Sequence, residues 1–126
     1  MNDKQSLKGK TAWITGGKRI GKRIAEMLAQ HGANIILTYN NSSAEAEKTI
    51  RNIGKYKIRT LIVQCDVSSQ KSSANAVKKI KKEFKKIDML VLMASVFDKI
   101  QFNELKPEDF QKNFDVHVIG TFWPVK

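Results

Sequence analysis

A chain of 126 residues with 23 lysines and arginines against 12 acids, a formal charge of +11, is long enough for one domain with a real core and attracts anions in general. The single cysteine, Cys65, excludes an intrachain disulfide and a cysteine-rich metal site, so no metal is expected and a reducing, cytoplasmic setting fits. Residues 1–10 are polar and lack a signal-peptide core, and no later apolar run approaches membrane-spanning length; a soluble protein with no membrane partner is expected.

Thr11–Thr15 reads as a buried strand, and Gly16-Gly17-Lys18-Arg19-Ile20-Gly21 reads as a glycine-rich turn opening a helix. Strand, turn and helix in that order can hold a diphosphate. Glycines let the backbone approach phosphate oxygens, and the free N–H groups and dipole of a helix start attract them. The same glycines also suit an ordinary strand-to-helix turn, so the motif alone leaves both readings open. Ile20, Ile24, Met27 and Leu28 form the expected inner stripe of the helix, His31 is a helix-end cation, and Gly32 suits a left-handed cap.

The apolar run Ile35-Ile36-Leu37 within Asn34–Tyr39 predicts a strand covered on both faces. Ser42-Ser43-Ala44-Glu45 is a capping-box pattern, followed by a helix with Ile50 and Ile53 inward and Gly54 as its stop. Residues 60–65 repeat the buried-strand pattern, and Asp66-Val67-Ser68-Ser69 leads into a third helix. There Val77, Ile80, Phe84 and Ile87 recur at helical spacing between Lys78, Lys79, Lys81, Lys82, Lys85 and Lys86. The lysines form the solvated face of this helix. Arginine forks and interleaved aromatics, which a nucleic-acid surface favours, are missing from it, so nucleic acid is not an expected partner. Residues 88–94 form a fourth strand, and after a looser segment Pro107 opens a helix with Phe110 and Phe114 on one face.

Four strand–helix units without a hairpin signal predict an α/β fold, a doubly wound parallel sheet of Rossmann type. Ligands on such sheets bind at the carboxyl ends of the strands, where Gly16, Thr38 to Ser42, Asp66 and Ala94 all lie.

These residues resemble the short-chain dehydrogenase/reductase family, and within it the pteridine-reductase-like branch. Four pieces carry the likeness: Thr15 to Gly21 for the phosphate turn, Tyr39-Asn40-Asn41-Ser42 with Ser43-Ala44-Glu45-Ala46 after strand two, Asp66-Val67 after strand three, and Ala94-Ser95 after strand four. The resemblance implies that Gly16, Gly17, Lys18, Arg19, Ile20 and Gly21 hold a diphosphate and that Asp66 hydrogen-bonds adenine, although an aspartate here also suits a turn or helix cap. It further implies a nicotinamide dinucleotide as cofactor, a small carbonyl or pterin substrate, and a homo-oligomer. An NAD enzyme usually places a carboxylate at the end of strand two, and this chain offers Tyr39, Asn40, Asn41 and Ser42 there, with Lys18 and Arg19 in the nearby turn. NADP(H) is therefore the expected cofactor, the alternative being that Lys18 and Arg19 are solvent-exposed members of a generally basic surface.

The chain departs from the family's pattern in places. Its glycine turn reads one residue short, and the family's Asn-Asn-Ala-Gly stands as Leu92-Met93-Ala94-Ser95. His117 occupies the position of the family's active-site Asn, where it is a candidate catalytic residue holding a water in a proton relay; its spacing from Phe110 and Phe114 equally suits a packed histidine. The family's Tyr-x-x-x-Lys does not occur, because Ser43 and Thr60 stand four residues beyond Tyr39 and Tyr56. The 126 residues are thus expected to be a single dinucleotide-binding domain lacking the C-terminal strands and the catalytic Tyr and Lys, inactive alone. The alternative is a non-catalytic nucleotide-binding or basic nucleic-acid-binding protein derived from that fold.

Overall fold

The computed structural model describes residues 6–126; the first five residues of the polar 1–10 stretch lie outside it. Four strands, β1 (Thr11–Thr15), β2 (Asn34–Tyr39), β3 (Thr60–Gln64) and β4 (Met89–Leu92), form one parallel sheet in the order β3-β2-β1-β4. Helices α1 (Ile20–Gln30), α2 (Ala44–Ile53) and α3 (Gln70–Glu83) cross between successive strands. After β4 come α4 (Pro107–Phe114), a π-helical turn (Asp115–Ile119) and α5 (Gly120–Val125). No helix among the described residues is long and apolar enough to cross a membrane.

The central strands β1 and β2 are buried on both faces, which explains why they read as apolar runs without alternation, whereas the edge strands β3 and β4, also expected to be buried, are mostly only partly covered. On one face Ala12, Ile14, Ile35 and Leu37 meet Ala25 and Ala29 of α1 and Ala46 and Ile53 of α2. On the other, Trp13, Ile36 and Val63 meet Ala76 and Ile80 of α3 with Phe84 and, at its margin, Val116. Each fully buried isoleucine or leucine in these layers contributes about 1.5–3 kcal/mol. The order turns back at β1, whose two neighbours are β2 and β4, and this opens a crevice at the strands' carboxyl ends.

Several local expectations shift. The buried face of α1 is Gly21, Ala25 and Ala29, with Ile24 and Leu28 partly covered, whereas Ile20 and Met27 are exposed. Small residues let α1 lie close on the sheet, and that rotates the larger members of the expected stripe outward. α2 does stop at Gly54, as expected, but in the right-handed region: a 3-10 turn (Gly54–Tyr56) follows, and Lys57 takes the left-handed conformation at φ 55°. The capping box does not form. Ser43 is the residue before α2, and its hydroxyl donates to the Glu47 carboxylate at 2.5 Å rather than accepting from the helix start. Phe84 is buried just past the end of α3, while Ile87, expected inward, lies at the surface. β4 is shorter than residues 88–94 because the Met93 and Ala94 N–H groups turn to Thr15.

Candidate functional site

A cleft of about 530 Å³ lies at the carboxyl ends of the strands. The glycine turn forms its floor. Gly16 has φ +76°, and a Cβ there would stand 2.7 Å from the backbone of Met93 and Ala94, so only glycine lets β1 and β4 close at this point. Gly21, expected to touch the diphosphate, does not line the cleft; it is buried beneath the turn, where a Cβ would stand 2.3 Å from the Gly16 carbonyl oxygen. Its work is to seat α1 under the turn. Arg19 precedes α1 with φ 49° and ψ −109°, a backbone conformation that ordinarily favours glycine, and no side chain caps this helix start.

The rest of the floor and walls comes from the neighbouring strand ends. Thr38 anchors the turn: its carbonyl accepts the Gly16 N–H at 3.2 Å, and its hydroxyl accepts the Trp13 indole N–H at 3.3 Å. Thr15 Oγ1, buried, accepts the N–H groups of Met93 at 3.1 Å and Ala94 at 3.3 Å. This hydroxyl holds the end of β4 against β1, a role the sequence did not signal. Asp66 Oδ1 accepts both the N–H of Ser68 at 3.0 Å and its hydroxyl at 2.6 Å, while the Asp66 N–H donates to Ser72 Oγ at 2.9 Å. Ser69 Oγ accepts the Ser72 N–H at 3.2 Å as the cap of α3. Asp66 is thus a turn aspartate, and its second carboxylate oxygen has no hydrogen-bond partner among the described residues. Val67 is wedged behind it, and a Cβ on Gly120 of α5 would stand 2.6 Å from its side chain.

The cleft brings together every cofactor residue expected from sequence except Gly21: Gly16 to Ile20 from the turn, Tyr39 to Ser42 from the end of β2, Asp66 and Val67, and Ala94 and Ser95. It also includes residues that sequence reasoning did not select, notably Glu45, Cys65 and Phe97. Burial pushes the Cys65 thiol above its usual range, so it stands as a neutral wall beside Ser73. Glu45 puts a carboxylate on the wall near the β2 end, contributed by the first turn of α2; the sequence places it beyond the strand end, so position alone gave no sign of it.

The cations of the turn differ from those of the helix behind it. Lys22 and Arg23 both face Glu26, at 4.0 and 3.5 Å, whereas Lys18 and Arg19 are exposed on the cleft and form no salt bridge among the described residues. Their charge is available to an anion. A dinucleotide fits this set of groups on three observations: a helix start without a side-chain cap beneath a glycine floor, two cations at the rim without a salt bridge, and a spare carboxylate oxygen at Asp66 for a donor on a base.

His117 is not on the cleft wall. It lies in the π-helical turn, exposed, and its Nε2 accepts the N–H of Val96, which does line the cleft, at 3.3 Å. Single turns of π-helix are frequent at functional positions. This one carries Val116 onto the cleft and leaves His117 to hold the segment after β4. Lys112 of α4 reaches the same segment through Asp98 at 2.5 Å, and this contact raises the Lys112 pKa.

Residues 10–126 match the family model for short chain dehydrogenase. The chain is 35% identical over 113 residues to L-rhamnose 1-dehydrogenase (NADP(+)) of Thermoplasma acidophilum, covering 89% of this chain and 44% of that protein. It is 29% identical over 124 residues to versicolorin reductase 1 of Aspergillus parasiticus, covering 98% and 47%. Among solved structures, a short chain dehydrogenase from Burkholderia cenocepacia in complex with NADP superposes with a TM-score of 0.86 at 31% identity, covering 94% of this chain and 49% of that one. The chain therefore spans about half the length of these relatives.

Proposed function

The chain belongs to the short-chain dehydrogenase family, and from that premise we propose that residues 1–126 are the dinucleotide-binding part of an NADP(H)-dependent oxidoreductase. The observation that carries the cofactor choice is the pair Lys18 and Arg19, exposed on the cleft without a carboxylate partner, beside a β2 end made of Thr38, Tyr39, Asn40, Asn41 and Ser42. A 2′-phosphate finds two cations and several hydroxyl or amide donors there. Glu45 opposes it and tempers the preference. The NADP(+) in the name of the rhamnose dehydrogenase and the NADP in the Burkholderia complex support the same choice.

Bound NADP(H) supplies the hydride for reduction of a carbonyl or a pterin-like C=N bond. The chain's own residues do the holding: the glycine turn and the α1 start take the diphosphate, Asp66 takes adenine through its free oxygen, and Met93 to Phe97 border the reacting end. His117 acts there through Val96, as a positioning residue at the place of the family's active-site Asn. The finer placement in the pteridine-reductase-like branch rests on the Lys18-Arg19 turn. The proton donor belongs to the family's Tyr-x-x-x-Lys, which neither Tyr39 nor Tyr56 supplies, so these residues alone are expected to show no hydride transfer. Self-association through the exposed Phe110, Phe114, Val118 and Phe122 of the last helical segments, in the cytoplasm, completes the reading.

Calorimetric titration with NADPH and NADH tests it. NADPH is expected to bind more tightly, and Arg19→Ala or Lys18→Ala to weaken NADPH by about 1.5–3 kcal/mol while leaving NADH nearly unchanged. Equal affinities for the two in the unaltered chain would overturn the cofactor assignment.

A further inference from the structure

We infer that Gln64, the last residue of β3, is a positioning residue for the phosphate-reading end of the cleft; the inference rests on the NADP(H) reading above. Gln64 lies outside the cleft wall and pairs with Tyr39 in the β2–β3 register. The ladder ends one residue on, where the Cys65 N–H donates to the Tyr39 carbonyl at 2.7 Å. Past that point the chain from β2 leaves the sheet, and the Asn40 carbonyl has no strand partner. The Gln64 side chain supplies one: its Nε2–H donates to the Asn40 carbonyl at 3.0 Å.

This bond sets the direction of the groups that follow. In a trans peptide the carbonyl and the next N–H point opposite ways. With the Asn40 carbonyl held by Gln64, the Asn41 N–H is fixed on the opposite side of that peptide. Asn41 and Ser42 line the cleft together with Lys18 and Arg19. Little else restrains residues 40–42. Ser43, which would anchor them by capping α2, spends its hydroxyl on Glu47, and no side chain caps that helix start. Gln64 therefore selects the orientation in which this segment meets a 2′-phosphate, without touching it.

Gln64→Met keeps the length of the side chain and loses the donor, and Gln64→Glu keeps its shape and loses the donor. Because Gln64 is exposed, neither is expected to move the thermal midpoint appreciably. Calorimetry with NADPH and with NADH, and the NMR chemical shifts of the Asn41 and Ser42 amides, give the readout. The expected result is an NADPH affinity lower by about 3- to 10-fold in Gln64→Met, an NADH affinity within about twofold, and displaced shifts at both amides. If the unaltered chain prefers NADPH and Gln64→Met keeps that preference in full, the role of Gln64 is overturned and the cofactor reading stands. An equal loss for both cofactors also overturns it, making Gln64 a general prop of the fold. If the unaltered chain shows no preference, the cofactor reading falls and takes this inference with it.

Discussion

The Nε2 atom of His117 accepts the Val96 N–H at 3.3 Å, and this bond ties the π-helical turn to the segment that follows β4 across 21 residues of sequence. It gives a cleft residue its place without putting the imidazole in the cleft.

His117→Ala is accordingly expected to speed hydrogen exchange at the Val96 amide and to weaken dinucleotide binding by about 2- to 10-fold, the worth of one hydrogen bond. His117→Gln, which retains an acceptor, should recover part of the loss. Unchanged Val96 exchange in His117→Ala would show that the bond does not restrain the segment.

Glycine substitutions should divide sharply. At Gly16 the positive φ and the 2.7 Å approach to Ala94 and Met93 leave no room for a methyl group, so Gly16→Ala should cost more than about 2 kcal/mol in urea unfolding and abolish dinucleotide binding. Gly54 has φ −55° in the right-handed region, and nothing lies within 4 Å of the position a Cβ would take, so Gly54→Ala should stabilise the chain by about 0.4–1 kcal/mol.

Asp88, just before β4, carries a pH dependence. The Lys86 ammonium at 2.9 Å and the Thr11 N–H at 2.9 Å, with Lys10 at 3.5 Å, hold its carboxyl below the usual carboxylate range. A carboxyl depressed in the folded state adds stability above its unfolded pKa and loses it as pH falls through the folded value. The thermal midpoint of the unaltered chain should therefore exceed that of Asp88→Asn at neutral pH, and the gap should close as pH drops below the ordinary carboxylate range. A gap independent of pH would mean that the charge of Asp88 adds nothing to stability.

The parts legible from sequence were those in which a few adjacent residues decide the outcome. Ile35-Ile36-Leu37 marked a doubly covered strand, and β2 runs over Asn34–Tyr39 as expected. Pro107 opens α4, and the strand ends gathered nearly all the residues expected to hold a cofactor into one cleft. What stayed hidden depended on approach distances and on partners far along the chain. The outward turn of Ile20 and Met27 follows from how closely Gly21, Ala25 and Ala29 let α1 lie on the sheet, which apolar spacing does not encode. The failed capping box followed from Ser43 choosing Glu47. Thr15 with Ala94, Gln64 with Asn40 and His117 with Val96 are pairs of ordinary residues that only the folded chain joins.

Trp13 sits at the centre of β1, 1% exposed, with its indole N–H on the hydroxyl of the same Thr38 whose carbonyl anchors Gly16. The fold has thereby placed a shielded fluorophore directly under the floor of the cleft. A buried indole emits at the short-wavelength end of the tryptophan range, where reduced nicotinamide absorbs, so an occupied cleft should quench Trp13 by energy transfer and light up the nicotinamide in return. Trp123, half-covered in α5 against Phe122, is the other indole of the chain, and Trp123→Phe would leave Trp13 as a single-site optical gauge of cleft occupancy that needs no label.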